Sequence, residues 1–295
     1  DLIAVASNTD ARARKFCESY NCLAIEGYEN LIALDGIDAV YVATPHTDHF
    51  DLTAKCLRQK KAVLCEKPMT INATETMALI DISRKNETLL MEAFMYKIHP
   101  QTQRIRDIVQ EKLSGPLSIK ADFCFSVDVP EKHRLVNREL GGGSILDIGC
   151  YPVSISRYAV GAINGKNFMN PVSLEAKGEL NEQKIDLNAS AKLVFEDGSV
   201  ADIRSATNIS TESDVEITDG HTKLLINQPW HCGEFTERTS QLKLIDSEGK
   251  EETIDITTDK GLYALEIDHF SETLRANKVE SEIIPHNDSH GNMIA

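Results

Sequence analysis

The chain has no G-x-G-x-x-G turn, no C-x-x-C pair, no apolar run of bilayer length and no excess of positive charge. Each absence excludes something. A membrane-spanning helix needs about 20 consecutive apolar residues, and no stretch comes near that, so no spanning helix is expected. Asp1 to Ser7 lack a basic leader and a small-residue cleavage site, which argues against a signal peptide and makes the cytoplasm the expected compartment. The formal net charge of -15 argues against nucleic acid and anionic membrane as partners, because both release counterions only to a basic surface. The seven cysteines, at 17, 22, 56, 65, 124, 150 and 232, are odd in number and scattered. They support neither a disulfide framework nor a structural zinc site, and they read as plain thiols in a reducing compartment.

What is present points to a two-domain α/β chain, since 295 residues can bury a substantial core. Leu2 to Ala6, Ala39 to Ala43, Ala62 to Cys65 and Leu89 to Ala93 are short apolar strands. Between them, Asp10 to Tyr20, Asp48 to Gln59 and Asn72 to Arg84 read as helices, the last capped by Asn72. Continuous apolar strands alternating with helices predict a doubly wound, Rossmann-type parallel sheet covered on both faces, over residues 1–93.

Residues 94–295 predict an α+β domain. A helix over about Gln101 to Leu113, a strand-like run from Leu117 to Val127 and a helix from Ser144 to about Val160 precede alternating strands from Val172 to Ile256. Turns at Glu196-Asp197-Gly198-Ser199, Asp219-Gly220 and Ser247-Glu248-Gly249 join these strands into a large, open, mostly antiparallel sheet. Glu266 to Asn277 is a closing helix. Asp288 or Ser289 is expected to cap one more, which stops after about one turn at Ala295, so the C-terminus looks cut. The N-terminus looks cut as well, because a nucleotide-binding domain of this kind opens with a strand and a glycine-rich turn of roughly 30 residues in all.

Two segments carry candidate chemistry. Cys65-Glu66-Lys67-Pro68 ends an apolar strand, at the carboxyl edge where open α/β sheets bind ligands. A lysine there can orient a hydroxyl and lower the pKa of a neighbouring phenol; alone, it is equally a surface lysine before a turn proline. Downstream, Gly141-Gly142-Gly143-Ser144-Ile145-Leu146-Asp147-Ile148-Gly149-Cys150-Tyr151 puts Asp147 and Tyr151 four apart, on one helical face. A carboxylate can hold a substrate hydroxyl, and a phenol near a cation can exchange its proton. Thr44-Pro45-His46-Thr47-Asp48-His49 also follows a strand and opens a helix. His46 and His49 resemble metal ligands in spacing, but no carboxylate or thiol set completes a site, so no metal is expected.

As an ordered pair, the Glu66-Lys67-Pro68 and glycine-triplet segments resemble the glucose-fructose oxidoreductase / inositol dehydrogenase (Gfo/Idh/MocA) family. The resemblance covers nearly the whole chain, and within the family it is closest to the branch of dimeric dihydrodiol dehydrogenase and NADP-dependent D-xylose (aldose) 1-dehydrogenases. It implies hydride transfer with Lys67, Asp147 and Tyr151 catalytic. Ser7, Asn8, Arg12, Thr44, Pro45, His46, His49, Glu66, Lys67 and Pro68 would bind the cofactor, with a cis bond at Pro68. Many members place histidine where this chain has Tyr151. No acid precedes Asp10 at the end of the first strand, which favours NADP, with NAD as the alternative; relatives usually show arginine at the position of Asn8. Lys97 stands where arginine is common, and the loop holding Trp230 resembles a substrate-pocket or subunit-contact loop, core packing being equally consistent. Phe94 and Tyr96 are candidates for a ring-admitting pocket. The open sheet face is expected to pair with a second subunit in a homodimer or higher homo-oligomer.

The expected function is NAD(P)-dependent oxidation of a polyol-like hydroxyl, on an aldose or a trans-dihydrodiol. The alternative is a non-catalytic nucleotide-binding sugar sensor on the same fold. Reduction of an enone or imine-like substrate by the same scaffold is a third reading.

Overall fold

The computed structural model describes residues 1–233 and 238–295. The chain opens with β1 (Ala4–Ser7), α1 (Asp10–Cys17), β2 (Leu23–Glu26) and α2 (Tyr28–Ile32). It continues through β3 (Ala39–Val42), α3 (His46–Arg58), β4 (Ala62–Glu66), α4 (Ala73–Asn86) and β5 (Leu90–Ala93). These strands pair in parallel as two groups, β1 with β2 and β3 with β4 with β5. The first four residues of β4 are wholly buried, as expected of a strand covered on both faces, and α4 begins with the Asn72 side chain accepting from Glu75 N at 2.9 Å. β2 and α2 escaped the sequence reading. Both are short, and β2 exposes its end residues, so neither shows a clear apolar period.

After a single helical turn at Met95–Lys97 come α5 (Pro100–Lys112), β6 (Ser118–Cys124) and α6 (Cys150–Ile163). β7 (Ser173–Leu180), β8 (Asp186–Val194), β9 (Val200–Ala206), β10 (Val215–Thr218), β11 (Lys223–Ile226), β12 (Thr239–Ile245) and β13 (Glu251–Thr257) complete the second sheet. Its eight strands run in the order β13-β12-β11-β10-β6-β9-β8-β7, antiparallel throughout except for β6 beside β9. On β6, buried Ile119 and Ala121 alternate with exposed Ser118 and Lys120. The apolar face carries α5 and α6, and the opposite face presents charged side chains.

α7 (Leu262–Arg275) and α8 (His286–Ile294) return to the first sheet. Leu90 N donates to Val279 O at 3.1 Å, and a ring nitrogen of His286 lies 3.0 Å from Leu90 O. The last helix corrects the sequence expectation. It is nine residues long and starts after Pro285, not at an Asp288 or Ser289 cap. Both of those side chains are buried inside it, and Asp288 is taken inward by two cations. Among the described residues no helix is long and apolar enough to cross a membrane.

Candidate active site

β4 delivers Glu66-Lys67-Pro68 to the carboxyl edge of the first sheet, with the Lys67–Pro68 peptide cis. From the second domain comes the glycine triplet, leading through a π-helical turn at Ile145–Gly149 into α6. Such turns widen a helix locally and recur at functional sites. Gly142 is required by close approach, because a Cβ there would lie 2.7–2.9 Å from the carbonyl oxygens of Arg134, Leu135 and Asn137. Gly143 has φ +123°, a conformation that side chains rarely adopt.

The two segments meet. Lys67 Nζ donates to the Asp147 backbone oxygen at 2.5 Å, lies 3.7 Å from Asp147 Oδ1 and sits 5.3 Å from the centroid of the Tyr151 ring. Arg134, which the sequence reading missed, donates from Nη1 to Asp147 Oδ1 at 2.8 Å. Its only sequence signal was its place shortly before the glycine triplet. Burial alone would raise the Asp147 carboxyl, but the Lys67 ammonium and the Arg134 guanidinium outweigh it and hold the group below its ordinary value. Asp147 is therefore an anchored carboxylate at neutral pH.

Tyr151 departs from expectation. Its phenol is pushed well above the ordinary value, by burial first and then by Cys150, Glu66, Tyr263 and Asp147. Lys67 lies over the ring, and its charge does not offset the desolvation. The ring is walled by Phe94 at 4.8 Å, Phe123 at 5.3 Å, Trp230 at 5.5 Å and Tyr96 at 5.7 Å between centroids. At rest, then, Tyr151 is a neutral proton donor.

Thr44 ends the β3 edge, and Pro45 precedes the first turn of α3. Buried His46 points Nδ1 at Gly141 O, 2.9 Å away, and burial pushes its imidazole down to about 4. His49, also buried, lies between two backbone oxygens, with Nδ1 2.9 Å from Pro68 O and Nε2 2.9 Å from Thr44 O. The histidines thus tie α3 to the Lys67 corner and the glycine triplet. Thr44 Oγ1 is buried and has no hydrogen-bond partner among the described residues, so its hydroxyl can bond a polar ligand atom. That orphaned group, on the strand edge where nucleotides bind, fits a bound dinucleotide. Ser7 closes β1, while Asn8 and Arg12 lie exposed at the start of α1. They belong to the other strand pair and are not drawn into the Thr44–Lys67 cluster.

Phe94 and Tyr96 pack directly against the Tyr151 ring. Both are buried, and Tyr96 bonds Ser154 Oγ at 2.7 Å, so they form the floor beneath Tyr151. The adjoining cleft of about 590 Å³ is lined by Phe123, Phe125, Trp230, His231, Gln228 and Glu212, among others. Trp230 packs in the core and also borders this cleft. It is 2% exposed, stacks on Phe123 and donates from Nε1 to Asp122 O at 3.1 Å. Lys97 points away from the site, into a buried ion pair with Asp288.

Comparison with known proteins matches both halves of the chain. Residues 1–94 match the model for the oxidoreductase family with an NAD-binding Rossmann fold (GFO_IDH_MocA), and residues 102–219 match the GFO/IDH/MocA C-terminal domain. The chain is 36% identical over 196 residues to trans-1,2-dihydrobenzene-1,2-diol dehydrogenase of Xenopus tropicalis, covering 66% of this chain and 57% of that protein. It is 32% identical over 224 residues to D-xylose 1-dehydrogenase (NADP(+)) 2 of Haloferax volcanii, covering 75% of this chain and 66% of the relative. The matched region therefore spans 57% and 66% of the length of these two curated relatives. A 3-ketoreductase from Actinomadura kijaniata, solved with NADP and TDP-benzene, shares the fold with a TM-score of 0.86 at 24% identity, over 99% of this chain and 86% of that one.

Proposed function

This chain belongs to the Gfo/Idh/MocA family of oxidoreductases, and we propose that it acts in NADP-linked hydride transfer at a secondary hydroxyl of an aldose or trans-dihydrodiol. The supporting observation is the convergence of Lys67 Nζ on the Asp147 oxygens and the Tyr151 ring, from the ends of two separate domains. In this reading residues 1–93 hold the nucleotide, and residues 94–295 hold the substrate.

Ser7, Asn8, Arg12, Thr44, Pro45, His46, His49, Glu66, Lys67 and Pro68 line the nucleotide edge, and NADP is favoured over NAD because no acid closes β1. The bound nicotinamide supplies the hydride acceptor or donor. Asp147, ionised and anchored by Arg134, accepts a hydrogen bond from a substrate hydroxyl and fixes its orientation. Lys67 holds the reacting oxygen. Tyr151, neutral at rest, donates its proton to that oxygen when a carbonyl is reduced. In the oxidative direction the same group acts as its phenolate: its own proton first passes to solvent, and the phenolate then accepts the proton of the substrate hydroxyl. The Phe123–Trp230 wall gives the cleft an apolar side suited to a ring.

The charged open face of the eight-stranded sheet, with β7 exposed along its whole length, supports pairing with a second copy of the chain. Placement in the cytoplasm rests on the free thiols and is part of the same proposal. The test is nucleotide reduction with NADP and NAD against aldoses, inositols and a trans-dihydrodiol, with Tyr151→Phe alongside. Turnover with NADP and one substrate class, lost in the Phe variant, is expected. Nucleotide binding without turnover on any member of the panel would refute the dehydrogenase reading and favour a sensor.

A further inference from the structure

At the entry of the turn that carries Asp147 stands an acid that no step above uses. Asp186 is half-buried and opens β8, and the turn Ile145–Gly149 packs against β8 and β9. The chain just before Asp186 is closed from both sides: Asn181 N donates to Ile185 O and Ile185 N to Asn181 Oδ1, each at 2.9 Å. So held, Asp186 Oδ2 accepts from Ser144 Oγ at 2.9 Å and from Ile145 N at 2.7 Å. Ser144 is fully buried; its single proton goes to the carboxylate, and its oxygen accepts from Ser205 Oγ on β9 at 3.0 Å.

The glycine beside it follows from the same contact. A Cβ on Gly143 would collide with Asp186 Oδ1, so the carboxylate takes the room of a side chain there. An acid is favoured at this place, because the first amides of a helix lack partners within it and the helix dipole is positive at that end. From the anchored entry, bonds lead straight to the chemistry. Gly143 O accepts from Asp147 N at 3.1 Å, and Asp147 O accepts from Lys67 Nζ at 2.5 Å. Tyr151 follows one turn later, in the first residues of α6.

We propose that Asp186 is a positioning residue for the cluster of Lys67, Asp147 and Tyr151: by holding Ser144 and Ile145 it fixes the turn that aims Asp147 and Tyr151 at Lys67. The inference deepens the dehydrogenase reading above and rests on it for its effect on turnover. Asp186 acts through the backbone and has no part in proton transfer. Losing both bonds should open the turn about ten- to a hundredfold more often, the weight of a hydrogen bond to a charged group. A reacting group displaced by about 1 Å costs roughly a hundredfold in rate.

The experiment compares Asp186→Ala and Asp186→Asn with the wild type in the full chain. It reads amide hydrogen exchange, NADP affinity by calorimetry, and steady-state turnover on the panel of aldoses, inositols and a trans-dihydrodiol. In Asp186→Ala, exchange over residues 143–151 should quicken about ten- to a hundredfold, with that of β4 and α4 unchanged. NADP affinity should hold, kcat should fall about tenfold or more with a smaller change in KM, and Asp186→Asn, which keeps an acceptor for Ser144 and Ile145, should recover most of the loss. If Asp186→Ala does not fold, Ser144→Ala removes one of the two bonds and should show the same pattern at smaller size. Exchange raised throughout the chain, with kcat unchanged, makes Asp186 a structural cap alone and overturns the inference; so does an Asp186→Asn no better than Asp186→Ala. A wild type that binds NADP and turns over no member of the panel overturns the dehydrogenase reading instead, and the local exchange still decides whether Asp186 holds the turn.

Discussion

Replacing Asp288 by Asn should cost about 3–5 kcal/mol of stability, because two buried cations depend on this one carboxylate. Lys97 Nζ pairs with Asp288 Oδ2, and Arg157 Nη1 pairs with Oδ1 at 2.8 Å. The Arg157 side chain is fully buried, and its remaining donors go to Asn170 Oδ1 at 3.0 and 2.8 Å and to the Asp288 backbone oxygen at 3.1 Å. Asn preserves volume and one acceptor but leaves two positive charges facing each other away from water. That asymmetry makes breaking a buried pair costlier than the pair's own net contribution. Burial alone would raise the Asp288 carboxyl, but Lys97 and Arg157 hold it below its ordinary value of 3.8. Its contribution is therefore fully present above pH 4, roughly the unfolded value, and is lost as pH falls through the lower folded value. Guanidinium denaturation at pH 7, with the slope checked for two-state behaviour, measures the cost. The double variant Lys97→Met/Asp288→Asn should recover part of it by removing one orphaned cation. A loss below about 1 kcal/mol, the size of a surface pair, would refute the account. So would a double variant no more stable than Asp288→Asn.

Three shorter predictions follow from the site. Arg134→Ala should let the Asp147 carboxyl rise toward its ordinary value and, on the proposed function, raise KM roughly three- to tenfold with a smaller change in kcat, since a partly exposed charged hydrogen bond that anchors Asp147 is lost; steady-state kinetics read this. His46, lowered from 6.5 to about 4 by burial, contributes stability that is complete above pH 6.5 and is lost as pH falls toward 4. The effect is worth up to about 3 kcal/mol, and the fall in denaturation midpoint over that window should flatten in His46→Asn. Gly142→Ala should destabilise by at least about 1–3 kcal/mol, because the new Cβ meets three backbone carbonyl oxygens at 2.7–2.9 Å; an unchanged thermal midpoint would show that the loop yields freely.

What the sequence made legible were elements and pairings whose signals lie close together in the chain. The turns at Asp197-Gly198, Asp219-Gly220 and Ser247-Glu248-Gly249 fall between strands as expected, because a hairpin turn and its flanking alternation sit within a dozen residues. Asn72 caps α4 for the same reason: its partner is three residues away. Lys67 and Asp147 are 80 residues apart, and their meeting was expected only through the family that the ordered pair of segments resembles, since neither segment's local geometry specifies a partner so remote.

Residues whose partners are remote and carry no motif were illegible or misread. Asp288 looks like a helix cap by local chemistry, and a cap is worth about 1 kcal/mol. Two buried cations from other elements outbid that preference and draw the side chain inward, so the helix begins after Pro285. Phe94 and Tyr96 are aromatic residues just after a buried strand, which suits a pocket wall as well as a floor. Packing sets their place, and the sequence does not write it: both rings lie close against Tyr151. The same packing reverses the expected sign at Tyr151: proximity of a lysine is visible in a motif, but the desolvation that outweighs it comes from Phe123 and Trp230, on strands and loops far along the chain. A sequence therefore shows which groups can react sooner than it shows their protonation states, because identity is written locally and burial is not.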